Sequence, residues 1–168
     1  MALTMYDASV TVFMHNLKQL SHLLDKGAAH AESTGIDPAT LVQAKLAEDM
    51  RPLSFQIQSA SDASKLAVVR LSGVAAPSFP DTETTFDELR ARVANTRDYL
   101  ETVSRQAFEG SEERVVTMKA GTVELEFTGQ SYLLHFALPN FFFHVTTAYD
   151  ILRHNGVPVG KRDFLGRL

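Results

Sequence analysis

Hydrophobic positions recur at helical spacing in four long stretches of this chain and alternate in only one. In the first, Tyr6, Val10, Phe13, Leu17, Leu20 and Leu24 follow one another at three or four residues, which predicts a helix from about Met5 to His30. Thr4 and Asp7 stand at its start in the positions of a capping box, with Asp replacing the usual Glu. His15 and His22 each lie two residues, about 200° of helix, from the apolar line, so they read as solvent-facing rather than as a metal pair. The polar segment Glu32 to Asp37 ends in Asp37-Pro38, a cap and first-turn proline for a short helix through about Leu46.

Asp49-Met-Arg-Pro52 repeats that start signal ahead of a second long helix, about Met50 to Ser72, stopped by Gly73. Its seam is Met50, Leu53, Ile57, Ala60, Ser64, Ala67 and Leu71. The stretch Ser59 to Ser64 within it is small in volume, which predicts small residues packed opposite large ones, the other readings being a cavity or a close helix crossing. A proline-containing loop, Val74 to Thr84, then crosses the fold. Thr85-Phe-Asp-Glu88 is a full capping box opening a third helix with Phe86, Leu89, Val93, Thr96, Leu100, Val103 and Ala107 on one line. Arg90, Arg92, Asn95, Arg97, Asp98 and Glu101 fall on its other side and read as a solvated charged face.

After Gly110 the period changes to two. Val115 and Thr117, then Val123, Leu125 and Phe127, alternate across an Ala120-Gly121 turn and predict a hairpin from about Arg114 to Phe127. An isolated hairpin is marginal in water, so it should lie against the helices or against a second subunit. Ser131 to Leu138 reads as a helical turn or two, and Pro139 and Gly156 then bracket the last helix. Phe141, Val145, Ala148 and Leu152 form one line of it, and Phe143, Thr147 and Ile151 with Asn140 and His144 another. A helix apolar on two sides belongs in the middle of a fold. The tail from Val157 carries Phe164-Leu165, expected to fold back on the helices.

With 168 residues, 45% of them hydrophobic, the chain reads as one domain over residues 1–168 with a sizeable core. The absence of cysteine excludes disulfides and thiolate chemistry and suits the cytoplasm. A net charge of -4 without a basic stripe argues against nucleic acid, and no apolar run reaches the roughly 20 residues of a membrane span. The N-terminus lacks the pattern of a signal peptide. No Gly-x-Ser-x-Gly elbow, His-Glu-x-x-His or Glu-x-x-His motif occurs, and Gly156 to Lys161 has the wrong glycine spacing for a phosphate loop.

The chemically suggestive feature is the pair Asn140 and His144, four residues apart and so stacked on one face of the last helix. Across from it, Gln56 or Gln58 and Asp49 or Asp62 are the possible partners on the second helix, with Gln56 expected nearest. Histidine is the commonest metal ligand, but an inward histidine is more often satisfied by an amide or carboxyl side chain.

Pro139-Asn-Phe-Phe-Phe-His144, Thr147-Ala-Tyr-Asp-Ile-Leu-Arg-His-Asn-Gly156 and Gly160-Lys-Arg-Asp-Phe-Leu-Gly166 resemble an uncharacterised family within the DinB/YfiT-like helical superfamily. The resemblance covers essentially the whole chain. It implies an all-α fold, a DinB-like four-helix bundle with a short β-hairpin between helices three and four, usually dimeric. It also implies a divalent metal held by one histidine of the second helix and two, four apart, of the last; some members are thiol-dependent transferases or isomerases. Here His144 matches the second of the last-helix histidines, Asn140 stands at the first, and Gln56 stands on helix two. The expected protein is therefore a cytoplasmic homodimer with a degenerate metal site, binding a small molecule around His144, Asn140 and Gln56. The alternatives are a metal-assisted or thiol-dependent transferase or hydrolase using His144, with weakly held zinc or nickel, and a non-catalytic dimer with a buried Asn140/His144 network.

Overall fold

The structure is a computed structural model that describes residues 3–166. It is mostly helical, with one two-stranded antiparallel sheet. A π-helical turn, Asp7–Thr11, leads into α1 (Val12–Thr34); α2 (Pro38–Val42), α3 (Leu53–Ser72) and α4 (Phe86–Thr102) follow. A short 3-10 turn, Arg105–Phe108, precedes β1 (Val115–Ala120) and β2 (Val123–Thr128). The chain continues as α5 (Gly129–Tyr132), a π-helical turn (Leu133–Ala137), α6 (Leu138–His154) and the terminal α7 (Lys161–Leu165). No described helix is long and apolar enough to cross a membrane.

The predicted seams form the core. Phe13, Leu17, Leu20 and Leu24 of α1, Leu53, Ile57, Ala60 and Leu71 of α3, and Leu89, Val93 and Leu100 of α4 are fully buried. So are Phe141 and Ala148 of α6, whose other core positions Val145 and Leu152 are nearly so. Helix α3 lies between α4 and α6, and α1 also touches both. Phe13 meets Phe141 edge-on at 4.9 Å between ring centres, and Gly27 leaves room for Phe86 and Leu152. Local signals behave as read at several ends: Asp37 caps α2 through Ala39 N, Thr85 and Glu88 complete their capping box, and Gly73 ends α3 at φ 77°.

Other boundaries moved. Asp49 caps nothing; α3 starts after extended Pro52, and the buried Gln56 side chain donates to the Arg51 carbonyl. Helix α4 stops at Thr102 because Val103 turns extended, so the run to Ala107 is broken. The largest shift is at Pro139, which does not start the last helix. Helical backbone begins at Gly129, capped by the Thr128 side chain on Ser131 N, and runs through Pro139. A proline ring inside a helix collides with the carbonyl four residues back. The π-helical turn Leu133–Ala137 just before it inserts an extra residue and lets the chain pass.

The hairpin is real but shifted by one residue. Its register pairs Val116 with Phe127 and Met118 with Leu125, so the turn is Gly121-Thr122 and the apolar face of β1 is Val116 and Met118, not Val115 and Thr117. Val116 is buried and Phe127 packs edge-on toward Tyr132, while Val115, Val123 and Leu125 stay exposed. The hairpin thus docks through Val116, Met118 and Phe127. Gly129 joins it to α5 where a Cβ would lie 1.9 Å from the Ser111 carbonyl oxygen, a contact only glycine permits.

At the other end α7 folds back on α1. Phe164 meets Tyr149 edge-on, whereas Leu165 stays exposed. The solvent-side histidines of α1 hold this tail: His15 Nε2 contacts the Leu165 carbonyl at 2.8 Å and His22 Nε2 the Asp163 carboxylate at 2.9 Å.

Candidate functional site

Of the three residues expected to form a site, two meet directly. His144 Nδ1 lies 2.9 Å from Gln56 Oε1, joining the middle of α6 to the first turn of α3. Gln56 Nε2 donates to the Arg51 carbonyl at 3.1 Å, and that bond fixes which end of the amide faces the imidazole. Since Gln56 presents its carbonyl oxygen, Nδ1 must donate. The neutral ring therefore carries its proton on Nδ1 and its lone pair on Nε2. Burial holds the His144 pKa below the usual histidine value, so the ring is neutral at pH 7.

Among the described residues His144 Nε2 has no hydrogen-bond partner, and the buried side-chain atoms left without one are Arg97 Nε and Ser111 Oγ instead. His144 Nε2 therefore reaches solvent. Phe143 and Phe55 flank the imidazole edge-on, with ring centres 5.3 and 6.1 Å away, and the Arg51 guanidinium lies 4.7 Å over the Phe55 ring. Phe143 is 57% exposed, a large apolar side chain spent on the rim of this site rather than in the core.

Asn140 is half-buried on the same face, but among the described residues its side chain makes no hydrogen bond, so it does not join His144 and Gln56. The network runs instead from His144 through Gln56 to the backbone. Gln58 turns away to Glu83, and Asp62 binds Arg92 and Lys65. Neither approaches the histidine as a partner.

The donor set does not fit the divalent ion that the superfamily resemblance implies. Gln56 has both ends of its amide engaged, His144 retains one nitrogen, and Asn140 adds only a carboxamide. Among the described residues no three His, Cys, Asp or Glu side chains converge as a metal would need.

Sequence reasoning missed a second polar centre. Arg92, assigned to a solvated face, is 2% exposed and sits against the small stretch of α3. Its Nε donates to Ser61 Oγ at 3.2 Å and one terminal nitrogen to Asp62 at 3.0 Å. The other terminal nitrogen reaches Glu83 at 3.0 Å, Asp81 at 2.8 Å and the Pro80 carbonyl at 3.2 Å. Thr96 Oγ1 donates to the Arg92 carbonyl, so the 2.6 Å contact between Ser61 and Thr96 must run from the serine hydroxyl. Every partner is thereby oriented.

The small volume of Ser59 to Ser64 makes room for a guanidinium, and the cluster pins the crossing loop onto α3 and α4. Burial pushes the Glu83 carboxyl up, but the hydrogen bonds from Gln58, its own backbone and Arg92 outweigh it and hold the pKa below the usual carboxylate range. The available signal was positional. Arg92 is four residues before seam residue Thr96 and three after Leu89, on the flank that faces α3.

This helical fold, in which the last long helix presents a histidine to a glutamine of α3, is that of DinB-like proteins. The crystal structure of a DinB family member protein from Shewanella denitrificans matches this chain with a TM-score of 0.89 and 40% identity, over 97% of this chain and 92% of that one. The family model DUF1993, a domain of unknown function, matches residues 5–165. The chain belongs to that family, within the DinB-like superfamily. No curated protein matches it.

Proposed function

We propose that this protein is a non-metal DinB-like binding protein, a single four-helix bundle that takes a small molecule at His144. The observation that carries the reading is the orientation of the imidazole. Gln56 consumes Nδ1 and leaves Nε2, a lone pair at neutral pH, on a ring that Phe55 and Phe143 meet edge-on. A neutral imidazole so held accepts one hydrogen bond from an O–H or N–H group. Phe55 and Phe143 supply apolar contact, and Arg51 beside Phe55 supplies a cation for a ligand with a negative end. The carboxamides at Gln56 and Asn140 favour this over metal-assisted chemistry, because neither replaces the missing imidazoles. Assembly as a homodimer, with the exposed hairpin face in the interface, belongs to the same reading, as does a cytoplasmic location.

The test is a nitrogen-15 NMR titration of the His144 ring with phenol, catechol and benzamide, beside calorimetric titrations with zinc and nickel chloride. A saturable shift of Nε2 with at least one aromatic donor, lost in His144→Ala, is the expected result. One equivalent of tightly held metal, lost in the same variant, would replace this reading with a metalloenzyme.

A further inference from the structure

A concavity lies far from His144. Gln56 sits in the first turn of α3, whereas this cleft of about 670 Å³ gathers the chain before α1, the 3-10 turn and the start of the last helical run. Arg70, near the end of α3, donates to Tyr132 just before the residues that line it. The volume falls within the range of small-molecule sites, roughly 300–1,000 Å³. Its accessible apolar walls are Met5, Tyr6 and Leu134, backed by the buried Leu133 and by Phe108, which Tyr6 meets edge-on at 5.5 Å. Leu134 is 47% exposed, so this apolar lining is not merely the underside of the core.

Both π-helical turns of the described residues contribute to the lining, Ala8 from the first and Leu134 from the second. Such turns cost helix regularity and concentrate at functional sites. Pro139 accounts for the second. No proline accounts for the first, where the Ser9 hydroxyl takes up the Met5 carbonyl at 2.6 Å.

The charges of the cleft are unequal in their commitments. Arg105 stacks over Tyr6 at 4.5 Å and pairs with Asp7 at 2.7 Å, so its charge is already compensated. Glu109 and Glu112 also line the cleft, and among the described residues their carboxylates make neither an ion pair nor a hydrogen bond. We propose that this cleft binds a small amphipathic cation, an apolar chain or ring against Met5, Tyr6 and Leu134 with its ammonium group directed to Glu109 and Glu112. This site is independent of the reading at His144.

The probes are octylamine, 1-octanol and octanoate, which share one apolar chain and differ in charge. Calorimetry on the full chain should show octylamine binding saturably and octanoate at least about tenfold more weakly, the difference expected when two partly solvated carboxylates face the ligand end. Amide shifts should localise to Tyr6, Phe108 and Leu134. The doubly substituted Glu109→Gln/Glu112→Gln chain, altered only at exposed positions, should lose about tenfold in octylamine affinity and keep its octanol affinity. Equal binding of octanoate, an octylamine affinity untouched by the double substitution, shifts confined to other residues, or no saturable binding would each overturn the proposal. Probe-independent shifts of the same residues that grow with protein concentration would overturn it too, by making the cleft a contact between copies.

Discussion

Replacing Arg92 by methionine keeps the aliphatic stem and removes the guanidinium, so the loss reports the polar cluster rather than packing. Its bond from the guanidinium to the uncharged Ser61 hydroxyl is worth at least about 1 kcal/mol and the bond to the Glu83 carboxylate about 1.5–3 kcal/mol. Asp62 and Asp81, with side chains 37% and 57% exposed, add little because water screens them. Removing one member of a fully buried ion pair costs about 3–5 kcal/mol, but here only Glu83, 11% exposed, is strongly desolvated, and it keeps its bond from Gln58. The expected destabilisation is therefore about 2–4 kcal/mol, read by urea unfolding.

Arg90→Met is the control, since Arg90 pairs with Asp25 and Asp87, 58% and 85% exposed, and should cost less than about 1 kcal/mol. A cycle with Glu83→Gln should give a coupling of about 1–3 kcal/mol. Because the cluster anchors the crossing loop, limited proteolysis should open between residues 74 and 84 in Arg92→Met before the helices unfold. If Arg92→Met and Arg90→Met cost the same, the buried cluster is not what holds the loop.

Further outcomes follow from the geometry. His144→Ala strands the nearly fully buried Gln56 carbonyl and should cost about 1–3 kcal/mol in chemical denaturation. Burial lowers the His144 pKa, so the unfolded chain binds the extra proton first; stability should be full above about pH 6.5, fall as pH drops below it, and lose that slope in His144→Ala. Carboxyl groups of Asp7, Glu83, Glu88 and Asp163 are all held below their ordinary values. Their contribution is present above about pH 4.5 and disappears as pH falls through the lowered values, so acid unfolding should shift upward in pH in Glu83→Gln. Gly129→Ala drives a methyl group into the Ser111 carbonyl and should destabilise by about 3 kcal/mol or leave the chain insoluble, measured by thermal unfolding.

Periodicity along the chain determined which residues are inside. The lines Phe13-Leu17-Leu20, Leu53-Ile57-Ala60, Leu89-Val93 and Phe141-Val145-Ala148 are all buried, because a 3.6-residue repeat leaves only one way to remove those side chains from water. Local chemistry likewise fixed the Asp37 and Thr85 caps and the Gly73 stop, since each involves atoms within a few residues. The contact between His144 and Gln56, 88 residues apart, was also legible, because each residue's place on its seam sets its height in the packed helices.

What only the tertiary structure decided depends on where elements meet. Arg92 looks like any surface arginine until α3 offers a row of small side chains and the crossing loop delivers Glu83 and Asp81 to it. Pro139 carries the local signature of a helix start, yet packing of Tyr132 and Leu133 into the core extends the helix backward through it and forces the π-helical turn. The proton of His144 was likewise settled elsewhere, by the Arg51 carbonyl that turns the Gln56 amide, a distant backbone atom that no side-chain pattern encodes.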